Sequence, residues 1–114
     1  MAAGEKPPRG TGAAGKALWA AVATNFVLES HELEVLAQVA MVADRIDALD
    51  KAVTRDGVLV DGRAHPALIE SRLQRVTLGR LLAVLRLPDR EDHRPQRRGG
   101  FRKAYQIKQV LGGA

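Results

Sequence analysis

Apolar positions recur at helical spacing in three stretches of the chain. In the first stretch they fall at Leu18, Trp19, Val22 and Phe26, a spacing that fits a helix and does not fit a strand. We expect this helix to begin near Ala13 and to end at about Phe26. Trp19 is expected to anchor it to the core, because a large aromatic side chain buries much apolar area.

The second stretch predicts a helix of about 25 residues, from an N-cap at Ser30 to about Arg55. Its apolar seam advances by four and three residues in turn, as in a coiled coil, at Val35, Val39, Val42, Ile46, Leu49 and Val53. A second apolar strip lies beside this seam, at Leu33, Leu36, Ala40 and Ala43. A helix of this length, ~37 Å, needs an equally long partner.

The third stretch predicts another helix, which starts at His65-Pro66 and ends before Pro88. Before it, Asp56-Gly57 ends the second helix, and residues 58–62 predict a short extended or hairpin segment. The third helix carries two apolar sectors, one of Ile69, Leu73, Val76 and Val84 and the other of Leu78, Leu81, Leu82 and Leu85. Two sectors imply two packing partners.

These elements predict an all-α fold in which the second and third helices form a long antiparallel hairpin, with the first helix packed across it. We expect a disordered arm at 1–11, a helical oligomerisation core at 12–89 and a flexible basic tail at 90–114. One copy cannot cover every apolar strip, so a subunit interface is predicted. Its predicted residues are Val35, Val39, Val42, Leu78, Leu81, Leu82 and Leu85. The alternative is a looser monomer whose tails cover the patch.

Composition excludes several kinds of chemistry. The 114 residues include no cysteine, which excludes disulfides, thiol catalysis and cysteine zinc sites. The histidines, His31, His65 and His93, lack the spacing of metal ligands, and no nucleophile is accompanied by a base and an orienting acid. We therefore predict a protein that is not an enzyme and that takes no cofactor and no metal.

The net charge of +5 is unevenly distributed. Residues 31–63 hold four positive and seven negative side chains, whereas residues 89–114 hold seven positive and three negative. Basic residues mixed with glycines and aromatic residues in the tail favour nucleic acid as the partner, through phosphate neutralisation and occasional stacking. The predicted DNA-binding residues are Arg94, Arg97, Arg98, Arg102, Lys103, Lys108 and Lys16. A protein-docking tail or a merely solubilising tail is the alternative.

Residues 10–16 resemble two phosphate-binding motifs, the dinucleotide fingerprint and the phosphate loop. Both motifs need a preceding strand, which residues 1–9 do not supply, and Ala17 stands where the phosphate loop needs a hydroxyl. We interpret the match as accidental. The segment still places a basic residue, Lys16, near a helix N-terminus, where it could bind a phosphate.

The third helix also carries an arginine ridge, formed by Arg72, Arg75 and Arg86. It could follow a phosphate backbone or pair with the acidic second helix at Asp44, Asp47 and Asp50, and we favour pairing. Arg80 points into an apolar sector and is expected to be paired or to lie at an interface.

The apolar run 17–23 follows three basic residues and imitates a secretory signal, but it is too short and fits the first helix better. No stretch reaches the ~20 apolar residues that span a bilayer. We expect no membrane partner and a cytoplasmic location.

Four segments stand in a suggestive order: residues 12–19 (GAAGKALW), 43–49 (ADRIDAL) with Asp56-Gly57, 65–68 (HPAL) and 81–89 (LLAVLRLPD). In this order the chain resembles the small terminase subunits of tailed phages and prophages, especially those of high-GC actinobacterial hosts. The resemblance covers about residues 12–89. The chain departs from the family where Ala64 leads directly to His65, since family members often have a longer polar turn there.

The resemblance implies an all-α DNA-binding protein that forms a homo-oligomeric ring of about eight to ten copies. It implies double-stranded viral DNA and the terminase large subunit, an ATPase and nuclease, as partners in the cytoplasm of a bacterial host. The family brings no universal catalytic residues. Two other functions stay open: a host-encoded basic helical regulator that binds DNA as a dimer, and a helical adaptor that binds only protein.

Overall fold

The computed structural model describes residues 5–88, which are mostly helical. The helices are α1 (Ala13–Ala23), α2 (Ser30–Asp56) and α3 (Pro66–Leu85), and between α2 and α3 the strands β1 (Leu59–Val60) and β2 (Arg63–Ala64) form an antiparallel pair. The predicted helical character and the hairpin segment near 58–62 are confirmed. The predicted basic tail, 90–114, lies outside the described residues.

Helix α1 ends three residues earlier than predicted. The amide of Phe26 still donates to the carbonyl of Val22, 3.0 Å away, and this bond turns the chain back toward the core. The side chain of Phe26 is buried beside Trp19 and Val22. The predicted apolar face therefore packs inward, although its last member lies beyond the helix.

A reciprocal capping box begins α2. Glu29 is the N-cap: its side chain accepts from the amide of Glu32, and Glu32 Oε1 accepts from the amide of Glu29 at 2.9 Å. The predicted cap at Ser30 is wrong, because Ser30 is the first helical residue. Two carboxylates three residues apart satisfy two helix-start amides and complement the positive end of the helix dipole.

A tight hairpin connects α2 to α3. Gly57 ends α2 with a φ of 90°, and Asp61 and Gly62 form the two-residue turn with φ values of 53° and 77°. Positive φ at both turn residues is the type I′ geometry, which matches the twist of the paired strands and favours Asp-Gly. His65 then caps α3, since its Nδ1 accepts from the amide of Ala67 at 2.9 Å.

Contacts at both ends of the α2–α3 pair define its direction. Leu85, near the end of α3, is enclosed with Leu36 and Val39 near the start of α2. Ser71, near the start of α3, donates to Asp50 near the end of α2. The two helices therefore run in opposite directions.

Residues 5–11 have no regular structure but follow a defined course beside α1. The indole Nε1 of Trp19 donates to the carbonyl of Glu5 at 3.3 Å, and Thr11 Oγ1 donates to the carbonyl of Pro8 at 2.6 Å. Two hydrogen bonds thus fix the course of residues 5–11, which the sequence predicts to be part of a disordered arm.

Helix α1 approaches α2 most closely at Gly15, which is buried. A Cβ on Gly15 would lie 2.6 Å from the carbonyl oxygen of Ala40 and 2.8 Å from Asp44 Oδ2. Both distances are far below van der Waals contact. Gly15 therefore permits the packing of α1 on α2.

We expect Gly15→Ala to lower the free energy of unfolding by about 1–3 kcal/mol, because the added methyl group forces the two helices apart. The matched control is Gly79→Ala on α3, where a Cβ meets no atom within 4 Å. That variant should gain up to about 1 kcal/mol from helix propensity. Urea unfolding followed by circular dichroism measures both, and equal midpoints for Gly15→Ala and the wild type would contradict the expectation.

Candidate interaction surface

The glycine-rich start of α1 is occupied by a carboxylate of the chain itself. Asp44 on α2 accepts from the amide of Gly12 through Oδ2 and from the amide of Gly15 through Oδ1, each at 2.7 Å. These amides are the donors that a phosphate at this helix N-terminus would need. The resemblance to phosphate-binding motifs therefore marks a contact between two helices. Lys16 is exposed and makes no ion pair with residues 5–88.

An ionic cluster joins α2 to α3. Arg75 Nη2 donates to Asp50 Oδ2 at 2.5 Å, and Ser71 Oγ donates to Asp50 Oδ1 at 2.7 Å. The hydrogen bond from Arg75, followed by that from Ser71, holds the pKa of Asp50 below its usual value. The preference for pairing over phosphate contact is confirmed at Arg75.

The other two arginines of the predicted ridge are Arg86 and Arg72. Arg86 ends α3 in the left-handed conformation, with a φ of 53°. Arg72 is exposed and makes no ion pair within the part of the chain that the structure describes. Arg72 is thus an exposed cation that a partner can reach.

A second polar contact closes the connection between α2 and α3. Because Nδ1 of His65 accepts from a backbone amide, its Nε2 carries the proton and donates to Asp56 Oδ2 at 2.9 Å. Arg55 also donates to Asp56, at 2.8 Å. The bond from Arg55, followed by that from His65, lowers the pKa of Asp56 well below its usual value. His65 thus serves the fold as a cap and as a link.

One group of histidine and acidic side chains within residues 5–88 is close enough to share a metal ion. It consists of Glu29, His31 and Glu32, whose potential ligand atoms lie within 4.8 Å of one another. The carboxylates of Glu29 and Glu32 already accept the amide hydrogen bonds that begin α2. The capping box accounts for this cluster.

The predicted interface residues lie on the sides of α2 and α3 that face the core. Val39, Val42 and Leu85 are buried. Val35, Leu78, Leu81 and Leu82 are partly buried and pack against the core. A second copy cannot reach the buried three while the fold is intact, since helices of the same chain already cover them.

The exposed apolar surface of α3 lies on the opposite side. We call Ile69, Leu73, Val76 and Val84 the outer row; their side chains are 47%, 52%, 47% and 57% exposed. At 100° per residue the outer row faces away from Ala67, Ser71 and Leu85, the buried residues of α3. This is one of the two apolar sectors that the sequence predicts, and residues 5–88 leave it uncovered.

Arg80 lies within the outer row and Arg72 lies beside it. Both side chains are exposed, and neither makes an ion pair with residues 5–88. The outer side of α3 therefore combines apolar side chains with two arginines. Such a surface suits a partner that is itself apolar and carries a carboxylate.

The periodicity identified both sectors of α3, and the sector that it assigned to the interface is the one that packs toward the core. Leu78 and Leu81 appear as suited to an interface as Ile69 and Leu73 when only spacing and hydrophobicity are compared. The rotation of α3 on α2 decides between them. One signal in the sequence did point outward: Arg80 belongs to the sector of Ile69, and an arginine is rarely buried without a partner.

The remaining predicted DNA-binding residues lie outside the described residues. They are Arg94, Arg97, Arg98, Arg102, Lys103 and Lys108.

No family model, no curated protein and no solved structure matches the chain. Within residues 5–88, the helices lack the combination of length and apolar character that crossing a bilayer requires.

We expect stability to fall below about pH 4, where carboxyl groups of the unfolded chain take up protons. Asp50 and Asp56 have lowered pKa values in the folded state, so their contribution is present above that pH and is lost as the pH falls further. Asp50→Asn should reduce the acid-induced loss, by under about 1 kcal/mol because the ion pair is partly exposed.

Urea unfolding at pH 7, 5 and 3 measures this dependence. Asp61→Asn is the control, since Asp61 lies in an exposed turn and makes no ion pair with residues 5–88. This variant should lose as much stability between pH 7 and pH 3 as the wild type does. The same loss of stability in Asp50→Asn and in the wild type would show that the α2–α3 ion pair does not contribute.

Proposed function

We propose that the chain is the small subunit of a viral DNA-packaging terminase. It assembles into a homo-oligomeric ring in the cytoplasm of a bacterial host, binds double-stranded viral DNA, and loads and regulates the large subunit, which holds the ATPase and nuclease. The observation that carries this proposal is the outer row of α3, an apolar surface left exposed in a chain whose C-terminal part is strongly basic.

The outer row supports self-assembly through its area and its position. It extends from Ile69 to Val84, which is about 22 Å along the helix. Removing apolar surface from water contributes roughly 25 cal/mol per Å². A small protein that exposes several large apolar side chains on one side of a helix commonly uses that side as an interaction site.

The charge distribution supports DNA as a partner. Residues 89–114 carry seven positive and three negative side chains, whereas residues 31–63 carry four and seven. The acidic side of the chain therefore repels the phosphate backbone, and the basic tail attracts it. Lys16 adds an exposed cation near the start of α1, where it contributes by charge alone, because Asp44 holds the nearby amides.

We expect the wild type to form a ring and Ile69→Ser/Leu73→Ser to be smaller, because the two serines remove apolar side chains from the outer row. Light scattering coupled to gel filtration measures the mass. The control is Met41→Ser, which removes an exposed apolar side chain from α2 and should leave the ring intact. A wild type that is monomeric at every concentration would refute the ring, and a dimer would favour the host regulator.

We also expect deletion of residues 90–114 to weaken DNA binding by tenfold or more, by an order-of-magnitude estimate from the loss of several phosphate contacts, while assembly is kept. Fluorescence anisotropy with a labelled duplex at rising salt measures the affinity. As a comparison, Lys16→Gln should reduce the salt slope by about one. Unchanged affinity after the deletion would contradict the role of the tail, and no salt-dependent binding by the full chain would favour a protein-only adaptor.

A further inference from the structure

A second exposed apolar surface lies on the hairpin between α2 and α3. Val58, Leu59 and Val60 are 57%, 63% and 37% exposed. A hairpin with two residues in each strand is marginal by itself, and exposed apolar side chains do not help it in water. Apart from Met41 and Leu68, the large exposed apolar side chains of residues 5–88 all belong to this hairpin or to the outer row.

The two faces of the hairpin differ in character. Leu59 pairs with Ala64, and Val60 pairs with Arg63. Because cross-strand partners point to the same side, one face carries Leu59 and Ala64 without a charge, and the other carries Arg63. The face of Leu59 is therefore the apolar docking face.

The outer row and the hairpin also differ in charge. Arg72 and Arg80 accompany the outer row and make no ion pair with residues 5–88. The nearby carboxylate of Glu70 accepts a hydrogen bond from Gln74, at 2.8 Å. The hairpin instead carries Asp61 at its turn, exposed and without an ion pair in the described part of the chain. Its positive φ, set by the type I′ turn, keeps Asp61 at the tip.

Contact between the outer rows of two copies is unfavourable on this basis. It brings the arginines of both copies into one apolar interface, where their like charges repel each other. Placing a charge in such an interface without a partner is strongly destabilising. Contact between an outer row and a hairpin covers two apolar surfaces and pairs an arginine with an aspartate.

We propose that the hairpin of one copy docks on the first half of the outer row of the next copy. Leu59 packs against Ile69 and Leu73, and Asp61 pairs with Arg72. This inference rests on the proposed ring and names the contact that builds it. Each copy offers one hairpin and one outer row, and in a head-to-tail arrangement this contact repeats from copy to copy until the ring closes.

Two variants that each disable one surface test the proposal. The hairpin variant is Leu59→Ser/Asp61→Asn, in which asparagine keeps the positive φ of the turn. The row variant is Ile69→Ser/Leu73→Ser. We expect each variant alone to be monomeric. We expect an equimolar mixture to form a dimer and no larger species, because one intact hairpin meets one intact outer row and every other surface is disabled.

Light scattering on each variant and on the mixture gives the result, with circular dichroism to confirm that both variants fold. A hairpin variant that keeps the wild-type mass would overturn the proposal and would favour contact between two outer rows. A mixture that stays monomeric would overturn it as well. A monomeric wild type would refute the proposed ring itself, so the two failures are distinguishable.

A charge reversal tests the proposed ion pair separately. Arg72→Glu should weaken association about tenfold, an estimate for placing two carboxylates together in an interface. Adding Asp61→Asn to that variant should restore part of the loss, because asparagine removes the second carboxylate and keeps the positive φ of the turn. Arg63→Glu is the matched control, since Arg63 lies on the opposite face of the hairpin and its reversal should leave association unchanged. Weakening by Arg72→Glu without recovery in the double variant would overturn the pairing.

Discussion

The hydrogen bonds that the amides of Gly12 and Gly15 donate to Asp44 determine how α1 lies on α2. A carboxylate at a helix N-terminus satisfies amides that have no partner within the helix, and it complements the helix dipole. Because Gly15 has no side chain, the backbone of α1 can approach the carbonyl of Ala40 closely. That approach brings Trp19 onto α2, where its side chain is buried.

Helix α2 also determines the rotation of α3. Helix α2 packs against both other helices, whereas α3 packs mainly on α2. Ser71 and Arg75 on α3 donate hydrogen bonds to Asp50 on α2, and these contacts set the rotation of α3. In that rotation Ile69 and Leu73 face solvent. The surface that we propose for assembly therefore arises from packing within one chain.

Parts of the candidate site were predictable from local patterns. The two apolar sectors of α3 follow from a period of 3.6 residues, and the basic character of residues 89–114 follows from counting charges. The hairpin was expected near 58–62, where Asp61-Gly62 supplies the turn. Spacing and hydrophobicity did not identify the sector that faces outward, because the two sectors are similar in both. Arg80 was the one local signal, and the packing of α3 on α2 decides between the sectors.

The sequence by itself determined the helical character, the approximate helix bounds and the charge of the tail. Each depends on residues within a few positions of one another, such as Gly57 at the end of α2 and Pro66 at the start of α3. Only the tertiary structure decided that Asp44 fills the start of α1, across 29 residues from Gly15, and that Arg75 pairs with Asp50. Such contacts depend on how the helices are placed and rotated, which no local pattern specifies.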